Sequence, residues 1–333
     1  VTSATTAASS TAPTEKAGAN PWVRFFIRRL GRLAISVWVL VTFSFLIIHL
    51  IPGDPVRAAL GLTADPATVA AMRHDLGLDE PLLTQYVQYI NNLLHGDLGT
   101  SLATRLPVST VIAQRAPNTL MLAGVAFVVI VIIAIPLGIG MAIMTQHGRR
   151  RGLELGYTTG AVMIAAIPDF VLGVALVWLF AVSWHLLPIA GKSGPSSFIL
   201  PVLAMALGAA AALSRIVRVE TLAVMGEDFV RTARAKRLRP RLIYLAHAVP
   251  NALTATLTLG GLLLSGLVAS TVLIENIFAW PGLGPTMVSS ILTKDYPMAQ
   301  GLVLMYGAIV LVINLIVDIV LSVMDPRSTI REA

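Results

Sequence analysis

The stretch Gly226-Glu227-Asp228-Phe229-Val230-Arg231-Thr232-Ala233-Arg234-Ala235-Lys236-Arg237 separates two long apolar segments, and Pro250 follows it thirteen residues later. It is polar, basic and rich in helix formers. A chain that only has to turn between two membrane crossings needs no such insert, so the insert points to a surface offered to something in the cytoplasm. Glu227 and Asp228 favour a helix start through the macrodipole. The run to Leu238 has few breakers, and Pro240 is predicted to end it. A second short helix carrying Leu242, Ile243, Leu245 and Ala246 is predicted before Pro250. The pair would lie in the plane of the membrane surface. The competing reading is an interfacial amphipathic helix whose basic residues face anionic lipid.

Composition agrees with membrane segments on both sides of the insert. Of 333 residues, 56% are hydrophobic and only 12% charged, against about 25% charged in soluble domains. That predicts an all-α polytopic membrane protein. The net charge of +7 then marks cytoplasmic loops and does not imply nucleic-acid binding. There is no cysteine, which excludes disulfides, thiolate nucleophiles and cysteine-based metal sites. Residues 1–21 are rich in Ser, Thr and Ala and read as a disordered cytoplasmic tail. The first apolar segment follows Arg24, Arg28, Arg29 and Arg32, and is long enough to be kept as an anchor and not cleaved as a signal.

Six segments are long enough to span a bilayer, which takes about 20 apolar residues: 33–51, 119–144, 157–184, 198–217, 252–278 and 298–324. Pro136 and Pro168 are predicted kinks. Lysine and arginine set the orientation. With a cytoplasmic N-terminus, 18 of the 24 basic residues fall inside and 6 outside. Both termini are therefore predicted inside, on the cytoplasmic membrane of the cell. The predicted organisation is a tail at 1–21, a basic segment with span one at 22–51, an external cap at 52–118 and a core of spans two to six at 119–324. The core includes the cytoplasmic loop 218–251, and residues 325–333 form a cytoplasmic end. Within the cap, Asp65-Pro66 is an N-cap followed by proline at the first helical position, opening a helix to about residue 76. Pro81 opens a second, with Leu82, Tyr86, Leu93 and Leu94 on roughly one face and Gly96 closing it. Pro107 opens a third that leads into span two. The cap is expected to cover the external mouth.

The spacing of the insert resembles the EAA loop of ABC importer permeases, which reads E-A-A-x3-G, nine residues, then I-x-L-P. Here the same spacing gives Arg231-Thr232-Ala233, three residues, Arg237, nine residues, and His247-Ala248-Val249-Pro250. Arg237 stands where that family has glycine. If the turn needs positive φ, an arginine there costs on the order of 1 kcal/mol or more. Further fragments resemble the dipeptide and oligopeptide importer permeases, first-permease (DppB/OppB-like) branch. They are Ile51-Pro52-Gly53-Asp54-Pro55, Leu76-Gly77-Leu78-Asp79-Glu80-Pro81-Leu82, Gly96-Asp97-Leu98-Gly99-Thr100-Ser101, Ile167-Pro168-Asp169-Phe170, Glu275-Asn276-Ile277-Phe278-Ala279-Trp280-Pro281-Gly282-Leu283-Gly284, Asp295-Tyr296-Pro297 and Asp325-Pro326-Arg327. Together they cover nearly the whole chain from Arg28.

The resemblance implies a type I importer permease fold of six transmembrane helices. It implies a permease subunit that forms half of a peptide pathway and catalyses nothing itself. The implied partners are a homologous second permease, two ATPase subunits that hold ATP and magnesium, and an extracytoplasmic binding protein. It places ATPase coupling on Glu227, Phe229, Val230, Arg231, Thr232, Ala233, Arg234, Lys236, Arg237 and Pro250, with Phe229 and Val230 as apolar anchors.

Two acids inside spans are costly unless they face protein or water. Asp169 either lines the path or accepts hydrogen bonds freed by Pro168. Asp318, one turn after Asn314, is expected to latch to Arg32 or to an arginine of the insert. Glu275 is expected at the external membrane surface, bracing the turn at Trp280-Pro281-Gly282. Gly261, Ser265, Gly266 and Ser270 put small residues on neighbouring turns of span five, for close helix packing or a flexible path-lining face. No P-loop is present, because Gly191-Lys192-Ser193 lacks the first glycine, and the six histidines lack zinc-ligand spacing. A self-sufficient secondary transporter would need an inverted repeat and ion ligands on broken midplane helices, and neither is evident. A scaffold that transports nothing is the other alternative.

Overall fold

The computed structural model describes residues 21–50, 54–61, 64–75, 77–148, 150–239, 242–244 and 249–324. The tail to residue 20, Ile51-Pro52-Gly53, Leu76, Pro240, the stretch 245–248 with His247 and Ala248, and Asp325-Pro326-Arg327 lie outside them. The α-helices are α1 (Pro21–Leu50), α2 (Pro55–Leu60), α3 (Pro66–Asp75), α4 (Leu82–Leu94), α5 (Val108–Thr145), α6 (Arg151–Ala166), α7 (Asp169–Leu176), α8 (Ile199–Met225), α9 (Asp228–Ala235), α10 (Val249–Ile277), α11 (Leu283–Leu292) and α12 (Tyr296–Met324). Among the described residues, five helices are long and apolar enough to cross a membrane, and a sixth crossing results if the bent run from Arg151 to Ser183 is counted as one. Of the bundle's two ends, the one carrying α2–α4 is called here the cap end and the other the basic end.

One predicted span continues its cap helix, as expected, and another is broken. α5 has 38 residues, about 57 Å at 1.5 Å per residue, nearly twice a hydrocarbon core of about 30 Å. The cap helix opened by Pro107 therefore runs unbroken into the second span. The third span is broken and not merely kinked. α6 and α7 meet at 91°. The residue before a proline is pushed out of the helical region, and Ile167 (ψ 123°) and Pro168 (ψ 140°) are both extended. Two successive extended residues re-aim the chain. Beyond α7, a π-helical turn covers Val177–Ser183, a feature without a sequence signal.

The main core lies between α5, α8 and α10. Leu122, Ala126, Ile130 and Ala134 of α5 meet Leu200, Met205, Leu213 and Val217 of α8, while Ile274 and Phe278 close it from α10 and its end. Alanine and glycine let α5 and α8 approach closely. A Cβ on Gly138 would lie 2.5 Å from the Ser214 carbonyl oxygen and 2.6 Å from the Val217 Cβ. Because one obstacle is backbone, Gly138→Ala is expected to destabilise the fold by about 1–3 kcal/mol. A lower melting midpoint of the purified protein in detergent would register this.

Polar staples hold the cap end, and they join sequence fragments that lie far apart. Asp54 caps α2 by accepting from the Val56 amide (3.0 Å) and pairs with Arg73 of α3 (3.0 Å), which also reaches Asp79 (3.1 Å). Burial alone would raise the Asp54 pKa, but the Val56 amide and the Arg73 guanidinium outweigh it and hold the carboxyl below its usual value. Asp295 is buried and accepts from the Ser101 hydroxyl (2.5 Å) and the Leu102 amide (3.0 Å). That ties the loop before α5 to the start of α12.

Candidate coupling segment and helix interfaces

The segment after α8 folds on a small core of its own. Val230 and Ala233, three residues apart on one face of α9, are buried with Ile243, and Leu238 packs against them. Phe229 is 43% exposed. Glu227, Arg231, Thr232, Arg234, Lys236 and Arg237 are all exposed. The outward face is therefore basic around one aromatic ring. The placing of Val230 corrects the expectation that it is an outward anchor. It is wholly buried within the chain, because periodicity carries residues 230 and 233 to the face opposite the charges. Pro250 is exposed and lies in the first turn of α10.

α9 ends at Ala235, three residues before the predicted stop and without help from Pro240. The terminator is Arg237, with φ of 52°. The Arg237 amide donates to the Arg234 carbonyl (2.9 Å) and the Leu238 amide to the Ala233 carbonyl (3.3 Å). That pair of bonds, five and three residues back, is a Schellman cap, and the Leu238 side chain packs on the same small core. The turn does need positive φ, and here it is held by a residue that does not favour it. Arg237→Gly is expected to stabilise the cap by about 1 kcal/mol. Slower hydrogen exchange at the Arg237 and Leu238 amides, by roughly fivefold, would be the signature.

Sequence reasoning missed the polar contacts that join α5, α6 and α8 next to this segment. Arg218, near the end of α8, bonds Glu154 of α6 (2.6 Å) and the Thr145 hydroxyl at the end of α5 (3.0 Å). The Gln146 side chain reaches the Tyr244 hydroxyl (3.3 Å). The available signal was Glu154, the one acid between residues 145 and 168.

The intramembrane residues separate into distinct roles. Asp318 pairs with Arg29 of α1, one turn before the predicted Arg32. Gly261 and Ser265 face α12. A Cβ on Gly261 would fall 2.2 Å from Val317 Cγ1, and the Ser265 hydroxyl donates to Asn314 Oδ1 (2.8 Å). Gly266 has open space around it and lies on the exposed side of α10 with Leu262 and Leu273. The small residues of α10 therefore serve two faces. Asp169 occupies the first turn of α7, where the helix dipole favours an anion. Its Oδ1 lies beside Gly208. Among the described residues no donor reaches its carboxylate, so it does not accept the bonds freed by Pro168.

Glu275 does brace its turn. It is fully buried. Its Oε2 accepts from the Gly284 amide (2.7 Å), and its backbone carbonyl accepts from the Trp280 amide (2.8 Å). Trp280 is buried edge-on to Phe198 and donates its indole N–H to the Asn118 carbonyl (3.2 Å). The Leu283 amide donates to the Thr119 hydroxyl (2.9 Å).

Comparison with known proteins agrees with this architecture. Residues 134–330 match the family described as binding-protein-dependent transport system inner membrane component, and residues 22–123 match the N-terminal membrane component of the same systems. The glutathione transport system permease protein GsiC of Pectobacterium atrosepticum is 37% identical over 304 residues, 91% of this chain and 98% of that one. A Brucella suis protein described as a peptide transport system permease is 38% identical over 309 residues, 90% of this chain and 97% of its own. Among solved structures, a chain of the inward-facing MetNI methionine ABC transporter superposes with a TM-score of 0.55 at 19% identity, over 65% of this chain and 97% of that one, which supports the fold alone. The chain belongs to the family of inner membrane components of binding-protein-dependent ABC transport systems.

Proposed function

We propose that this chain is one permease of an ATP-driven peptide importer, with the basic end in the cytoplasm and α2–α4 outside. The peptide class is favoured because the named relatives at 37–38% identity transport glutathione or peptides. ATP and magnesium belong on two partner ATPase subunits. A homologous second permease completes the pathway, and an extracytoplasmic binding protein delivers substrate. Asp169, half-buried with no donor among the described residues, is the candidate to meet a peptide ammonium group. Asp318, Gly261 and Ser265 hold the bundle together.

One observation carries the coupling role: α9 stands on its own small core and turns Phe229 and its basic residues outward. Closure of the ATPase pair would move this segment as a unit and, through Arg218 and Glu154, the spans behind it. The test uses single cysteines in a chain that has none. Cysteine at Gln88 is expected to react with an impermeant maleimide from outside, and cysteine at Thr232 only after permeabilisation. Thr232 labelling from outside would overturn the orientation. An assembled complex that hydrolyses ATP but takes up no peptide would overturn the substrate class.

A further inference from the structure

We infer that α4 is immersed in the bilayer leaflet at the cap end, with Leu83, Val87 and Leu94 against acyl chains. The sequence of α4, Leu-Leu-Thr-Gln-Tyr-Val-Gln-Tyr-Ile-Asn-Asn-Leu-Leu, contains no charge. At 3.6 residues per turn its eight apolar and aromatic side chains fill one arc of about 160°, while Thr84, Gln85, Gln88, Asn91 and Asn92 fill the rest. Such segregation suits a helix lying in an interface with one face in hydrocarbon.

The two edges of the apolar arc meet different surroundings. At one edge, the Tyr86 hydroxyl lies 2.7 Å from that of Thr42, the Tyr89 hydroxyl donates to Ser44 (3.3 Å), and both rings pack on Phe45. At the other edge, Leu83, Val87 and Leu94 are 74%, 59% and 80% exposed. The polar arc does not compete for lipid. Gln85, Gln88 and Asn92 line a cleft of about 240 Å³ together with Asp97 and Tyr296.

Depth identifies what covers the exposed edge. Thr42 lies eight residues before the last residue of α1, Leu50, about 12 Å inside that end at 1.5 Å per residue. A second ruler starts at the basic end, where Arg29 pairs with Asp318. The Ser44 hydroxyl bonds the Gln300 carbonyl of α12. From the Arg29–Asp318 pair to that bond is about 22 Å along α1 and about 27 Å along α12, still within a hydrocarbon core of about 30 Å. Both rulers put the tyrosine tips of α4 below the membrane surface. Next to them α1 exposes Phe43 and Leu46. The apolar edge of α4 continues that lipid-facing surface, whichever way the chain faces.

The experiment places nitroxide labels on single cysteines at Leu83, Val87, Gln88 and Asn91 in the assembled transporter, reconstituted in phosphatidylcholine vesicles. Collisions with oxygen, which partitions into lipid, are compared with those of a water-soluble nickel chelate. Oxygen is expected to dominate at 83 and 87 and the chelate at 88 and 91, a contrast of several-fold. Chelate dominance at 83 and 87 would overturn the inference. So would shielding of 83 and 87 from both reagents, or shielding that arises only when the binding protein is added, since a protein neighbour would then be the cover. If a labelled variant does not assemble, Val87→Trp read by brominated acyl chains decides instead. Extra quenching over the parent protein is expected, and no extra quenching would overturn the inference.

Discussion

Permease carrying Gly284→Val is expected not to accumulate as folded protein. A Cβ at this position would lie 2.7 Å from the Val272 carbonyl oxygen and 2.8 Å from the Val272 Cα. Neither atom can move without displacing α10. The same Cβ would lie 2.9 Å from Glu275 Oε2 and push that carboxylate off the residue-284 amide, from which it accepts at 2.7 Å. Overpacking of this kind costs about 1–3 kcal/mol, and a buried amide left without a partner costs about 1–3 kcal/mol more. Together they come to about 2–6 kcal/mol, which reaches the lower end of the roughly 5–15 kcal/mol that holds a domain folded. Two milder variants separate the terms. Glu275→Ala removes the acceptor but adds no clash, and is expected to cost on the order of 2–4 kcal/mol through the orphaned amide and the emptied space. Glu275→Gln keeps a carbonyl oxygen for Gly284 and is expected to lie nearest the parent. Folded yield and melting midpoint, read by size-exclusion fluorescence in detergent, should follow the order parent, Gln, Ala, with Gly284→Val lowest. A normal yield for Gly284→Val would mean that this turn is not a fixed part of the fold.

The residues that make this turn were legible in the sequence, and so was Glu275 as its brace. The same holds for the α-helical class, the membrane segments and the proline-opened cap helices, because each rests on a local signal. Whether the turn at Arg237 needs positive φ was left open by the sequence, where the resembled family's glycine only raised the question, and the φ of 52° answers it. What sequence did not disclose depends on which faces meet in three dimensions. Val230 and Phe229 are both apolar in a charged segment and read alike as anchors. Only the packing of Ile243 and Leu238 on it decides that one neighbour is buried and the other exposed. Asp318 needed a basic partner, but Arg29 and Arg32 are one turn apart and only the crossing of α1 and α12 selects Arg29. The right angle at Pro168 exceeded a proline kink because Ile167 also leaves the helical region. The staples between Asp295 and Ser101, and between Asp54 and Arg73, join fragments that looked like separate signatures.

Replacing Phe229 with aspartate is expected to abolish substrate uptake while leaving the permease folded. Phe229 is the large apolar side chain exposed on α9, and the residues around it are charged or small. In protein interfaces a few buried anchors dominate the energy, and charges at the rim contribute less. An aromatic anchor commonly accounts for 2 kcal/mol or more, so association with the ATPase should weaken about thirtyfold or more. Either the ATPase is released, or it stays bound and hydrolyses ATP without driving transport. Arg231→Ala should have a smaller effect, because the side chain is exposed and already bonded to Asp228 at 3.2 Å. Val230→Asp is the contrast that gives the result its meaning. It buries a charge in the small core shared with Ala233 and Ile243, so it should unfold the segment and expose its amides to hydrogen exchange. Phe229→Asp should leave that exchange unchanged. The readouts are substrate uptake and substrate-stimulated ATP hydrolysis in vesicles holding all the partners. Full coupled uptake by an intact Phe229→Asp complex would show that force reaches the membrane helices by another route.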